Sequence, residues 1–123
     1  MNFIQNETAQ KLRGGYYTPS DLAVFLVRWV KELGPRRILE PSCGDGVFFR
    51  ALAEVKGLRS STVVGFELNV EEAAKSETCA RDVGLAKAQI HSRDFLQWAI
   101  EHFNDNAKQF DAVVGNPPFV RYQ

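Results

Sequence analysis

The sequence predicts an α/β fold built on a parallel sheet, and three observations carry that expectation. Helix-like and strand-like segments alternate along the chain, and the connections between them are short. The run Thr62-Val63-Val64-Gly65-Phe66 is apolar without the every-second-residue alternation of a half-exposed strand. A strand buried on both faces reads that way, and crossover helices on a parallel sheet bury both faces. At 123 residues the chain has room for one domain with a sizeable core.

Residues 1–19 are polar, contain Gly14-Gly15, and read as an irregular arm. Ser20 is expected to cap a first helix whose apolar positions are Leu22, Phe25, Leu26, Trp29, Val30 and Leu33, with Gly34 and Pro35 as its stop. Residues 37–40 form a short strand that runs into the turn Pro41-Ser42-Cys43-Gly44-Asp45-Gly46. A second helix is expected from 47 to about 56, with Phe48, Phe49, Leu52 and Val55 apolar, followed by the strand at 62–67. The remaining pattern predicts a helix over 70–83, a strand over 88–91, a helix over 94–103 and a strand over 110–114.

Composition narrows the function classes. The apolar fraction is 45% and the charged fraction 24%, ordinary for a globular protein. Formal net charge is zero, so no global basic field holds nucleic acid or an anionic membrane. If the partner is DNA, most phosphate contacts must come from elsewhere. The first residues lack a basic-then-apolar signal pattern, and no apolar run reaches membrane-spanning length. Cys43 and Cys79 lack metal-ligand spacing, no metal is expected, and a cytoplasmic, reduced setting is.

In parallel α/β sheets ligands bind beyond the carboxyl ends of the strands, so those ends are where chemistry is sought. After the first strand stand Glu40, Pro41, Ser42, Cys43, Gly44, Asp45 and Gly46. The glycines allow close backbone approach, and the next helix aims free N–H groups at the loop. The third glycine of a diphosphate loop is replaced by Phe49, while Glu40 and Asp45 flank the turn. That acidic frame suits an ammonium or sulfonium better than a diphosphate. Glu67 ends the second strand, where a carboxylate can take two ribose hydroxyls. Asp94 and Phe95 follow the third: Asp94 suits either an exocyclic amine or a helix N-cap, and Phe95 either a purine face or the core. After the fourth come Asn116, Pro117, Pro118 and Phe119. Prolines fix φ and remove N–H donors, leaving carbonyl acceptors. With the Asn116 amide and an aromatic face they form a socket for an –NH2 group on a planar ring.

Taken in order, these residues resemble the S-adenosylmethionine-dependent adenine-N6 DNA methyltransferases, in the subgroup with the cofactor site first. The upstream Gly15-Tyr16-Tyr17-Thr18-Pro19 is similar to the segment that folds over the methionine end in that subgroup, and the likeness runs from about Gly14 to Tyr122. The resemblance implies a Rossmann-like class I methyltransferase fold with S-adenosyl-L-methionine as cofactor. Tyr17, Thr18 and Pro19 then line the methionine carboxylate side, and the loop from Glu40 to Gly46 passes beneath the cofactor. Glu67 takes the ribose, Asp94 the adenine amine of the cofactor, and Phe95 or a neighbour its ring. Asn116 and the Pro117 carbonyl accept from N6 of the target adenine, and Phe119 stacks on a base flipped out of the duplex. Catalysis is by positioning and electrostatics, with no cysteine nucleophile. His91 and His102 have no catalytic part in it.

Such a sheet usually has seven strands, whereas four are readable here. The expected organisation is an arm at 1–19 and a partial catalytic domain at 20–123, truncated after the fourth strand and inactive alone. Double-stranded DNA is the expected partner, held by further domains, with self-association through the exposed sheet edge. The localisation expected is the prokaryotic cytoplasm, and the biological setting restriction-modification or defence. Asn-Pro-Pro-aromatic also serves methyltransferases acting on protein glutamine or on guanine N2 of ribosomal RNA. A non-catalytic, dimerising module is the reading from a different class.

Overall fold

Four parallel strands in the order β3-β2-β1-β4 form the framework of the computed structural model. It describes residues 18–85, 87–106 and 109–117. The elements are α1 (Ser20–Glu32), β1 (Arg37–Glu40), α2 (Val47–Glu54), β2 (Thr62–Phe66), α3 (Val70–Asp82), β3 (Ala88–His91), α4 (Phe95–Glu101) and β4 (Ala112–Val113). Of the expected site residues, Tyr17, Pro118 and Phe119 lie outside the described residues, as does most of the 1–19 arm.

Register follows from alternation. Ile38 pairs with Val63 and Ala112, and Leu39 with Val64 and Val113. Successive side chains point to opposite faces. Ile38, Val63 and Ala112 enter a large core with Val27 of α1, Phe49 and Leu52 of α2, and Ala80 of α3. Leu39, Val64 and Phe66 enter a smaller one with Trp98 of α4. Burying a side chain such as Phe49 or Leu52, both 0% exposed, contributes roughly 1.5–3 kcal/mol. The smaller core is aromatic: the Phe66 ring lies 5.0 Å from Trp98, 5.4 Å from Phe95 and 5.1 Å from His91.

Several elements differ from expectation for physical reasons. Ser20 does not cap α1; the cap position is Pro19, whose carbonyl accepts from the Ala23 amide at 3.0 Å. The helix begins one residue earlier than a serine cap requires. Its core face is Ala23, Val27 and Val30, whereas Leu22, Phe25, Trp29 and Leu33 are exposed. The smaller residues let α1 lie close against α2, so the bulkier ones face outward. Helix α2 stops at Glu54 because Val55 turns extended. Strand β4 is only two residues long: Phe110 instead lies beneath the Arg37 guanidinium, 4.8 Å from its ring centre. The start of β4 is fastened to β1 by Asp111, whose Oδ2 accepts from the Arg36 and Arg37 amides at 2.8 and 3.0 Å.

Strand β4 ends the described sheet, and Val113 on it is exposed. Leu96 and Ile100 of α4 and Phe103 beyond it are exposed as well.

Candidate functional site

All four strands run the same way, so their carboxyl ends form one edge, and the expected site residues collect along it. At its centre the chain leaves β1 in a tight turn. The Cys43 amide donates to the Phe66 carbonyl at 2.9 Å, tying the loop to the end of β2. The Gly46 amide closes the turn on the Cys43 carbonyl at 2.9 Å. Gly44 and Gly46 have φ of +50° and +88°, which a side chain would strain.

Three neighbours hold this loop. Glu67 accepts from the Gly44 amide through Oε1 at 3.1 Å, and from the Asn69 amide through Oε2 at 2.9 Å. From α3, Ser76 donates its hydroxyl to the Gly44 carbonyl at 2.5 Å, and the Cys79 thiol lies 3.6 Å from the Gly46 carbonyl. Sequence reasoning missed both α3 residues. The available signal was a polar residue on the small-residue stripe Ala73, Ser76, Ala80, all of which are buried.

The acids differ in environment. Glu40 is 1% exposed, and its Oε1 accepts from the Ser42 amide at 2.8 Å. Burial pushes its carboxyl from 4.5 up to about 8, against the lowering effect of the Ser42 bond; the charges of Glu67 and Asp45 push the same way as burial. Asp45 accepts from the Val47 amide at 3.3 Å at the start of α2 and faces Arg50 at 3.8 Å. Burial also pushes the Cys43 thiol up to about 12, which makes it a packing residue and no nucleophile.

At the outer strand ends the outcome is mixed. Asp94 Oδ1 accepts from the Leu96 amide at 3.1 Å, so Asp94 caps α4. Phe95 packs against Phe66 and Trp98 in the smaller core. Each therefore fills the structural role that was open to it. His102 donates from Nδ1 to the Trp98 carbonyl at 2.8 Å and stacks on that indole, while His91 stacks on Phe66.

Beyond β4, Asn116 donates from Nδ2 to the Thr18 hydroxyl at 3.2 Å. Residues 98 positions apart thus meet at the same edge as the glycine loop. Thr18 is half-buried, and Pro19, Asn116 and Pro117 are exposed. Two features fit a polar ligand on the loop. Among the described residues, Ser42 Oγ is buried without a hydrogen-bond partner, and a Cβ at Gly44 would meet only the Ser42 carbonyl, at 4.0 Å. Among the described residues no acid, histidine or cysteine cluster could hold a metal, and no helix is long and apolar enough to cross a membrane.

The fold is the Rossmann-like fold of methyltransferases. It superposes with a TM-score of 0.72 on the O-methyltransferase TomG from Streptomyces achromogenes, a structure solved with SAM, at 19% identity over 95% of this chain and 54% of that one. The Type II methyltransferase M.CvrRI of Paramecium bursaria Chlorella virus XZ-6E is 31% identical over 86% of this chain. The tRNA1(Val) (adenine(37)-N6)-methyltransferase of Yersinia pestis (strain Pestoides F) is 32% identical over 78% of it. The chain spans 24% of the length of the first of these relatives and 37% of the second. The N-6 DNA Methylase family model matches residues 2–122, and with that match the chain belongs to the N-6 DNA methylase family.

Proposed function

We propose that these residues are the cofactor-binding part, with the amine socket, of an enzyme that methylates N6 of adenine in DNA using S-adenosyl-L-methionine. The observation that carries the reading is the Thr18–Asn116 hydrogen bond, which brings the cofactor-side segment and the acceptor turn together at the loop edge. Family membership supports DNA and N6, and the relative named for adenine N6 supports the target atom; a restriction-modification setting is part of the same proposal.

S-adenosylmethionine, when bound, supplies a methyl group activated by a sulfonium. The chain supplies the surroundings. The Pro41–Gly46 loop would carry the cofactor, and the Ser42 hydroxyl, without a partner among the described residues, would be available to it. Glu67 can accept ribose hydroxyls while keeping Gly44 and Asn69, because a carboxylate has about four lone-pair sites. Asn116 Oδ1 and the Pro117 carbonyl accept from the target amine, favouring a pyramidal nitrogen with its lone pair released from the ring. This is preorganised positioning, and no covalent enzyme intermediate is involved.

The chain's net charge is zero, so with DNA as substrate most phosphate contacts would come from outside these residues. Self-association through the open side of β4 is an accompanying proposal, read by light scattering. A second reading, adenine N6 of tRNA, is favoured by the Yersinia relative. Labelled methyl transfer to duplex DNA and to tRNA by the complete polypeptide decides between them, with calorimetry on this chain for the cofactor. Transfer to DNA alone is expected. Transfer to tRNA alone installs the second reading, and transfer to neither ends both.

A further inference from the structure

The ends of β1 and β4 lie side by side at the carboxyl edge, and one buried carboxyl fills the space between their loops. Glu40 Oε1 holds the Ser42 amide at 2.8 Å. On its other side stands Gly115. A Cβ there would lie 2.7 Å from Glu40 Oε1, 3.3 Å from Glu40 Cδ and 3.4 Å from Pro41 Cδ. Gly115 is not among the glycines with positive φ, so its backbone does not require glycine. The space does. Glu40 is 1% exposed and has little room to retreat, so a side chain at 115 must move Glu40, the turn, or both.

We infer that Glu40 and Gly115 are a positioning pair, in which the Glu40 side chain, admitted by the missing side chain at 115, sets the separation between the cofactor loop and the Asn116-Pro117 turn. The inference rests on the reading that the Pro41–Gly46 loop binds the cofactor and that Asn116 and Pro117 face the target amine. It adds a residue with no side chain of its own to the residues that govern cofactor affinity. Strain at Gly115 passes through Glu40 Oε1 to the Ser42 amide and on to Gly44, although residue 115 belongs to the other loop. Glu40→Asp withdraws the carboxyl by one methylene and opens the space that a methyl at 115 would need.

The test uses this chain as wild type, Gly115→Ala, Glu40→Asp and the double variant. Affinity for S-adenosylhomocysteine is measured by calorimetry, and the Ser42 and Gly44 amide shifts by NMR without ligand. Gly115→Ala is expected to weaken binding about tenfold, and the double variant to recover most of that loss, a coupling within the range of contacting residues. The amide shifts move in Gly115→Ala and return toward the Glu40→Asp positions in the double. Val27→Ala, in the core of α1, lowers the melting temperature but keeps the affinity and both shifts, which separates positioning from general loosening. Unmoved amide shifts in Gly115→Ala, or losses that simply add in the double, overturn the pair. Absence of binding by the wild type would indict the cofactor reading alone, since the ligand-free shifts still decide the coupling.

Discussion

The Asn116 amide donates its Nδ2 hydrogen to the Thr18 hydroxyl at 3.2 Å, and that bond fixes which end of the amide remains for a substrate. With nitrogen committed to Thr18, Oδ1 has no partner among the described residues, and oxygen is the atom an incoming amine needs. Thr18→Val keeps the shape and removes the acceptor. In methyl transfer kcat is expected to fall about tenfold, the size of one lost hydrogen bond to a positioning group, with a smaller loss of cofactor affinity because Thr18 also stands on the cofactor side. Thr18→Ser restores the rate. Single-turnover methylation beside calorimetry measures both.

Glu40 makes stability depend on pH. Its carboxyl titrates near 8 in the folded chain against 4.5 ordinarily, so the folded state holds a proton that the unfolded state releases between those values. The associated stability is fully present below pH 4.5, declines as pH rises, and is lost through about 8. Each pH unit inside the window costs about 1.4 kcal/mol at most. Glu40→Gln stays neutral and still offers an oxygen to Ser42. Urea unfolding at intervals from pH 5 to 8.5 should give a flatter profile for the variant.

Ser76 is 0% exposed, and its hydroxyl donates to Gly44. Ser76→Ala leaves that carbonyl short of a partner and is expected to cost about 1–2 kcal/mol by chemical denaturation. It should also weaken cofactor binding, because the carbonyl belongs to the loop. Ser76→Cys keeps a weak donor and should fall between the two.

Asp94 can be asked about its two roles separately. Asn caps helices about as well as Asp, so Asp94→Asn should leave the melting temperature nearly unchanged. The cap uses Oδ1, and the remaining atom in Asn is a donor that cannot accept from an amine. A roughly fivefold loss of cofactor affinity is expected if Asp94 meets the adenine amine, an effect of ordinary hydrogen-bond size. Equal affinity leaves Asp94 as the cap of α4 alone.

The parts of this fold that sequence could reveal are those where one residue's chemistry points one way. The unalternating run at Thr62–Phe66 made β2 a doubly buried strand, and a parallel sheet then directed attention to the strand ends. Glu40, Glu67 and Asn116 were singled out by that route, and Thr18 only through the family resemblance. The outward face of α1 was not, because periodicity finds an apolar stripe without saying which of two stripes meets the core. There the small Ala23 and Val27 win the contact over the larger Phe25 and Trp29. Ser76 escaped because a serine within a helix reads as surface until the loop it supports is seen. Gly115 escaped because its role is an absence of atoms, defined only by where Glu40 lies.

The two indoles sit in opposite surroundings, Trp29 at 66% exposure on α1 and Trp98 at 8% against His102. Their emission should therefore separate, red-shifted from Trp29 and blue-shifted from Trp98. A Trp98→Phe variant then carries a lone optical reporter on the outer face of α1, and Trp29→Phe one inside the smaller core. With that pair, events at the surface of this chain can be watched in one colour and the opening of its interior in another.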